Sequence, residues 1–233
     1  MTDSDEDNLN FDDLQNITKQ IERYKNDPDT SGMFVSGWDD ADQDVTVVDD
    51  PKANPIDYIL WAAENGNVQI LNEILSKRPD LVHACDSDGY TPLHRAAYGN
   101  HILAIASLLK AGANINLKTE LGWTPLHSAC NWNNYEAVAR LLAAGADSYA
   151  VSDGEQTPLH LAAAVSHSKS TLLILLLRED STEIANKCNN SGETPIQLAR
   201  GHGIYAPIFE MVLPAVSYIR SIAFTCNSYM KEV

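Results

Sequence analysis

The sequence lacks any long apolar run. Its richest stretch, Leu172 to Leu177, is six residues, against the roughly 20 that a membrane-crossing helix needs, so no membrane partner is expected. Cysteine is scarce and scattered: Cys85, Cys130, Cys188 and Cys226 form no C-x-x-C pair, which argues against zinc and disulfide frameworks. They read as small apolar residues of a reduced, intracellular protein. Basic residues are few, 16 against 32 acids, a formal net charge of −16. Nucleic-acid binding depends on lysine and arginine neutralising phosphates, so no direct DNA or RNA contact is expected. There is no G-x-S-x-G, no glycine-rich phosphate loop and no H-E-x-x-H; with those motifs missing, no catalytic residue, metal or cofactor is assigned. The opening Met-Thr-Asp-Ser-Asp-Glu-Asp is the opposite of a basic n-region followed by an apolar stretch. The expected compartment is the nucleus or the cytosol.

The charge that is present is unevenly placed. Residues 1–50 hold 15 of the acids and only Lys19, Arg23 and Lys25 as bases, a net of −12. Within this leader, taken as 1–54, Phe11, Leu14, Ile17, Ile21 and Tyr24 recur at spacings of three and four. That spacing predicts a helix with one apolar face over about 11–25, ended by Asp27-Pro28. Phe34 and Trp38 then precede an acidic run, Asp39, Asp40, Asp42, Asp44, Asp49 and Asp50. Aromatics in an acidic, weakly hydrophobic segment suit a largely disordered region that folds on binding a basic protein. A solubilising tail, with its helix docked loosely on the adjacent domain, is the competing reading.

Beyond the leader the chain repeats itself. Thr-Pro-Leu-His stands at 91–94, 124–127 and 157–160, 33 residues apart each time, with a degenerate Thr194-Pro195-Ile196-Gln197 after 37. Small pairs follow each copy (Ala96-Ala97, Ala129-Cys130, Ala162-Ala163), then leucine pairs (Leu108-Leu109, Leu141-Leu142, Leu176-Leu177). An upstream copy, Leu60-Trp61-Ala62-Ala63 with Ile74-Leu75, lacks the tetrapeptide. The threonine reads as a helix N-cap, the proline as a first helical residue whose missing N–H costs nothing, and the leucine as core. The small pair lets two short antiparallel helices approach. Gly112 and Gly145 end second helices, while Gly89, Gly122 and Gly192 serve the turns between units. In the third unit the glycine is displaced to Gly154, so a different turn is expected there. The four extra residues of that unit are expected partly within 164–171 and partly within 178–193. Such a period with this motif resembles the ankyrin repeat family. The resemblance implies an all-α solenoid of stacked helix-turn-helix units with β-hairpin fingers, four or five repeats over about 55–213. Residues 214–233 are expected to be a C-terminal cap or tail, because Val216, Ile219, Ile222 and Ala223 recur at helical spacing beyond Pro214.

Seven histidines invite a metal site, but spacing argues against it. Helices of neighbouring repeats pack about 8–10 Å apart, whereas ligand atoms on one zinc lie only about 2 Å from the metal. His94, His127 and His160 therefore read as hydrogen-bonding parts of each repeat. The resemblance places partner binding on a concave face of finger tips and first helices. Residues there that depart from the repeat consensus are the candidates: Tyr90, Arg95, Tyr98, Leu121, Trp123, Asn131, Trp132, Asn133 and Asp153. Aromatics with a few charges are the usual make-up of a binding hot spot. Trp123 is expected to be exposed at a finger base, and Trp132 either lines the same groove or packs between helices.

A closer likeness carries further expectations. Ile-Leu-Trp-Ala-Ala-Glu-Asn at 59–65, Tyr-Thr-Pro-Leu-His-Arg-Ala-Ala-Tyr at 90–98 and Gly-Trp-Thr-Pro-Leu-His-Ser-Ala-Cys-Asn-Trp-Asn-Asn at 122–134 resemble one small branch of animal ankyrin proteins. That likeness implies a mostly nuclear protein linked to positive regulation of transcription. The expected role is a non-enzymatic, monomeric adaptor that binds other proteins through its concave face. An assembly chaperone shielding a basic client is the alternative.

Overall fold

The computed structural model describes residues 54–202 and 205–229. The expected leader helix at 11–25, the disorder expected of the leader, Phe34 and Trp38 all lie outside the described residues. Five helix pairs succeed one another: α1 (Pro55–Glu64) with α2 (Val68–Lys77), α3 (Pro92–Tyr98) with α4 (Ile102–Lys110), and α5 (Pro125–Asn131) with α6 (Tyr135–Ala143). Then come α7 (Pro158–Ala164) with α8 (Lys169–Leu176), a four-residue helix α9 (Ser181–Ile184), and α10 (Pro195–His202) with α11 (Ala206–Tyr229). First helices pack against first helices of the neighbouring units, and second helices against second.

The leucines of the tetrapeptide, Leu93, Leu126 and Leu159, are buried together with Leu108, Leu141 and Leu176 from the facing helices. Each contributes roughly 2 kcal/mol by leaving water. A seven-residue helix cannot persist alone, since its few hydrogen bonds do not repay nucleation. These short helices exist because the stack buries their leucines and because their ends are capped.

The cap is built from the tetrapeptide itself. Thr91 N–H donates to His94 Nδ1 (3.2 Å), and the Thr91 hydroxyl lies 2.9 Å from the same nitrogen. Because Nδ1 accepts from a backbone N–H, the ring proton sits on Nε2, which donates to the Trp123 carbonyl of the next finger at 2.9 Å. Two further joints copy this one: His127 Nε2 donates to the Gln156 carbonyl (3.0 Å) and His160 Nε2 to the Glu193 carbonyl (3.2 Å). In the fourth copy Gln197 Oε1 accepts from Thr194 N–H at 2.7 Å, so an amide oxygen replaces Nδ1.

The fingers correct one expectation. Among the described residues there is no strand; each finger is a tight turn closed by two backbone bonds, as from Asp86 N to Tyr90 O (3.2 Å) and from Gly89 N to Asp86 O (3.1 Å). Single bonds then join finger to finger: Glu120 N to Asp88 O, Asp153 N to Leu121 O and Asn190 N to Gly154 O, at 3.0, 3.1 and 3.0 Å. The third finger was expected to turn differently and does not. Ser152 N donates to Gln156 O at 3.1 Å as its counterparts do, and Glu155 takes the positive φ (53°) that glycine holds in the others. Inter-finger bonding fixes the turn, and Glu155 accepts the backbone cost, about 1 kcal/mol.

Loops between paired helices carry a second set of inter-repeat bonds. Asn133, at φ 55°, accepts from the Thr171 hydroxyl (2.7 Å) and donates to the His167 carbonyl (2.7 Å) of the following unit. Asn134 reaches the other way, donating to Ala97 O and Tyr98 O at 2.9 and 2.6 Å. One unit earlier His101 takes the place of Asn134, with Nε2 2.7 Å from the Glu64 carbonyl. The third unit's inter-helix loop (165–168) is one residue longer than 132–134, and its remaining extra length accommodates α9. Downstream, α11 runs unbroken through Pro214, which is exposed. The apolar spacing read beyond Pro214 thus belongs to the second helix of the last pair, not to a separate helix.

Two outcomes are expected. Burial, partly offset by the carbonyl each ring meets, pushes His94 and His127 down to about 4 from 6.5, and His160 also downward. A depressed histidine binds fewer protons folded than unfolded. For His94 and His127 the contribution is therefore complete above pH 6.5 and is lost as pH falls toward about 4; each of these two contributes at most about 3 kcal/mol. Thermal melts should show Tm dropping through that window, with a lower but flatter profile for His127→Gln; a flat wild-type profile would refute the assignment. The second outcome concerns Gly66. Asn100 and Asn133 hold the matching place at positive φ, so φ alone does not demand glycine. A Cβ on Gly66, however, would stand 2.5 Å from His101 Nδ1. Gly66→Ala should cost about 1–3 kcal/mol, and adding His101→Asn should recover the clash but not the φ cost.

Candidate functional site

Stacking in register turns equivalent positions of the first helices into columns. One column runs Trp61, Arg95, Ser128, Leu161, and the next Glu64, Tyr98, Asn131, Ala164, as the small pairs align. The residue before each capping threonine adds Tyr90, Trp123, Gln156 and Glu193. Aromatic and charged members crowd the first three units, while Leu161 and Ala164 leave the fourth bland.

There the structure forms a cleft of about 310 Å³ lined by Glu64, Asp88, Tyr90, Arg95, Tyr98, Trp123, Ser128 and Trp132. Five of the residues singled out from sequence meet in it: Tyr90, Arg95, Tyr98, Trp123 and Trp132. Trp132 is the C-cap residue of α5 and 56% exposed. It stands edge-on to Tyr98, ring centroids 5.0 Å apart at 82°, a favoured aromatic geometry. This settles the open alternative: Trp132 lines the groove. Trp123 departs from the expected exposure, being half-buried and stacked on His127 at 6.5 Å and 27°.

Arg95 is held rigidly. Nη2 lies 2.7 Å from Asp86 Oδ2, Nη1 3.5 Å from Glu64 Oε2, and Cζ 5.4 Å from the Tyr90 ring centre. Burial by itself would raise the Asp86 carboxyl. The Arg95 guanidinium and the N–H groups of Tyr90 and Asp88 override that and hold it below the usual carboxylate range. Two buried polar atoms of residues that line the cleft make no hydrogen bond: Arg95 Nε and the hydroxyl of Ser128, a residue only 2% exposed.

The other predicted residues lie elsewhere. Leu121 and Asp153 are exposed finger-tip residues, and Asn131 is half-buried at the end of α5, outside the cleft lining. Asn133 lies outside the cleft lining, and both ends of its amide bind the following repeat, so it is tied into the stack. Sequence reasoning passed over Glu64 and Ser128. Their signal was present, since they occupy the same columns as Tyr98 and Arg95, but it shows only when the degenerate first unit is aligned column by column. No group of metal-binding side chains occurs among the described residues.

Comparison with known proteins agrees with this architecture. The family model for ankyrin repeats (three copies) matches residues 59–152. Over 192 residues the chain is 52% identical to Ankyrin repeat domain-containing protein 49 of Drosophila melanogaster, covering 82% of this chain and 88% of that one. This chain belongs to the ankyrin repeat family. Proteins of the same name from Bos taurus and Homo sapiens are 53% and 52% identical, each over 68% of this chain and 66% of the relative. Ankyrin repeats mediate protein–protein interactions.

A buried hydroxyl without a partner costs about 1–3 kcal/mol. Ser128→Ala should therefore leave the fold intact and raise Tm slightly in the free protein. A fall in Tm by several degrees would mean that the hydroxyl is satisfied internally.

Proposed function

We propose that this chain is a non-enzymatic, monomeric adaptor, nuclear or cytosolic, that holds one partner protein in the aromatic cleft and engages a second, basic one through its acidic leader. Support comes chiefly from the cleft. Exposed Trp132 and Tyr98 have no core to serve, and aromatic residues beside a fixed arginine are the composition in which binding energy concentrates. Regulation of transcription through bound partners is the setting we favour, with Phe34 and Trp38 as the element that recruits them.

Affinity capture from cells tests this, comparing the intact chain with Tyr98→Ala/Trp132→Ala and with a deletion of 1–50. One partner set should vanish with the aromatics and a different, basic set with the leader. The same leader deletion should abolish activation when the chain is tethered to a reporter promoter; unchanged activation sinks the transcriptional setting. The net charge of −12 over residues 1–50 also supports an assembly-chaperone role. A single basic client, bound stoichiometrically, weakened by both changes and released by salt, would put that role in place of the adaptor.

A further inference from the structure

The cleft carries more chemistry than a general contact surface requires. We propose that it takes an arginine side chain presented by the partner protein, a proposal that rests on the protein-binding reading above and gives it a ligand. Charge is the first argument. Glu64, Asp86 and Asp88 gather around Arg95, whose Nη2 is committed to Asp86. Three carboxylates against one guanidinium leave the site net negative. An incoming carboxylate or phosphate would be repelled. An apolar anchor would strip water from Glu64 and Asp88 and return nothing for it.

A cation is attracted by both the acids and the ring faces. Tyr90, Tyr98, Trp123 and Trp132 all line the cleft, and a cation within about 6 Å of such a ring gains most when it is shielded from water. Among natural cations the guanidinium fits best. It is flat, so it stacks on an indole. It is weakly hydrated, and its forked donors match a carboxylate such as Asp88. Lysine offers a compact, strongly hydrated charge with none of these matches.

The unspent donors supply a second, independent argument. Ser128 is nine-tenths buried and more, yet its hydroxyl makes no hydrogen bond, and neither does Arg95 Nε. An N–H can only donate, so Arg95 Nε calls for an acceptor. A ligand that brought nothing but a cation would leave it unmet. A peptide bearing arginine brings backbone carbonyls beside the side chain, and a carbonyl is the kind of acceptor that such a donor lacks. Charge at one end and an acceptor at the other identify the occupant as a peptide segment, not a free small cation.

Panning a random 12-residue peptide library against the full-length chain tests this. Selected peptides should share an arginine, and replacing it with citrulline, which keeps the shape and removes the charge, should weaken binding at least tenfold. Asp88→Asn and Trp132→Ala, both at exposed positions and checked for unchanged Tm, should each weaken it at least tenfold. Leu103→Ala on a second helix should not. Peptides without a shared arginine, no enrichment at all, a citrulline effect under twofold, or lysine binding as tightly as arginine each overturn the proposal. If Trp132→Ala still abolishes binding of peptides that lack arginine, the protein-binding cleft stands and only its ligand was wrong. If binding survives Trp132→Ala and is lost in Leu103→Ala, the cleft reading falls as well.

Discussion

One imidazole proton in each of the three central repeats holds its joint to the next. Nδ1 of His94, His127 or His160 accepts from the threonine that caps its own helix, while Nε2 of the same ring donates to a carbonyl of the next finger. Local helix initiation and long-range stacking thus depend on a single rigid ring in a single tautomer. Neither part suffices alone: the helices are too short to persist, and the fingers are bonded to each other by one backbone hydrogen bond apiece. Threonine and histidine three residues apart are therefore a pair whose spacing is set by geometry at both ends.

Because that pair recurs in register, every other position of the repeat is relieved of the task of holding the fold and becomes a place on a column. The binding face is what those free positions happen to contain. In the first three units they contain aromatic rings, carboxylates and one clamped arginine, and in the fourth, apolar and small residues. The cleft thus depends on stacking for its geometry and on non-repeating residues for its chemistry. Arg95 shows how the two meet. Its partners Asp86 and Glu64 come from a finger and from the preceding unit, so its position is fixed only when both neighbours are in place.

Much of this was legible in the residues. Period, capping, core leucines and small pairs all follow from recurrence at fixed spacing, which survives without any knowledge of tertiary contacts. Five cleft residues were legible as departures from that recurrence. What escaped had physical reasons. Glu64 lies in a unit that lacks the tetrapeptide, and Ser128 resembles an ordinary helix residue until its hydroxyl is found without a partner. The structural task of Asn133 escaped because a lone asparagine in a loop carries no sign that both ends of its amide are taken by the next repeat. At Glu155 local preference pointed to a different turn, and bonding between fingers overruled it. Pro214 read as a break, whereas a long helix that leaves that position exposed tolerates it.

The imidazole joints have one more consequence. Each Nε2 proton is buried at the boundary between two specific repeats and bonded to a carbonyl that belongs to the far side. Such a proton exchanges with solvent only when that boundary opens. The molecule therefore carries three built-in reporters, at the three joints after the second, third and fourth helix pairs, that record separately how often each of those joints parts. Fraying at an end of the stack and opening in its middle would leave different marks on the same three signals.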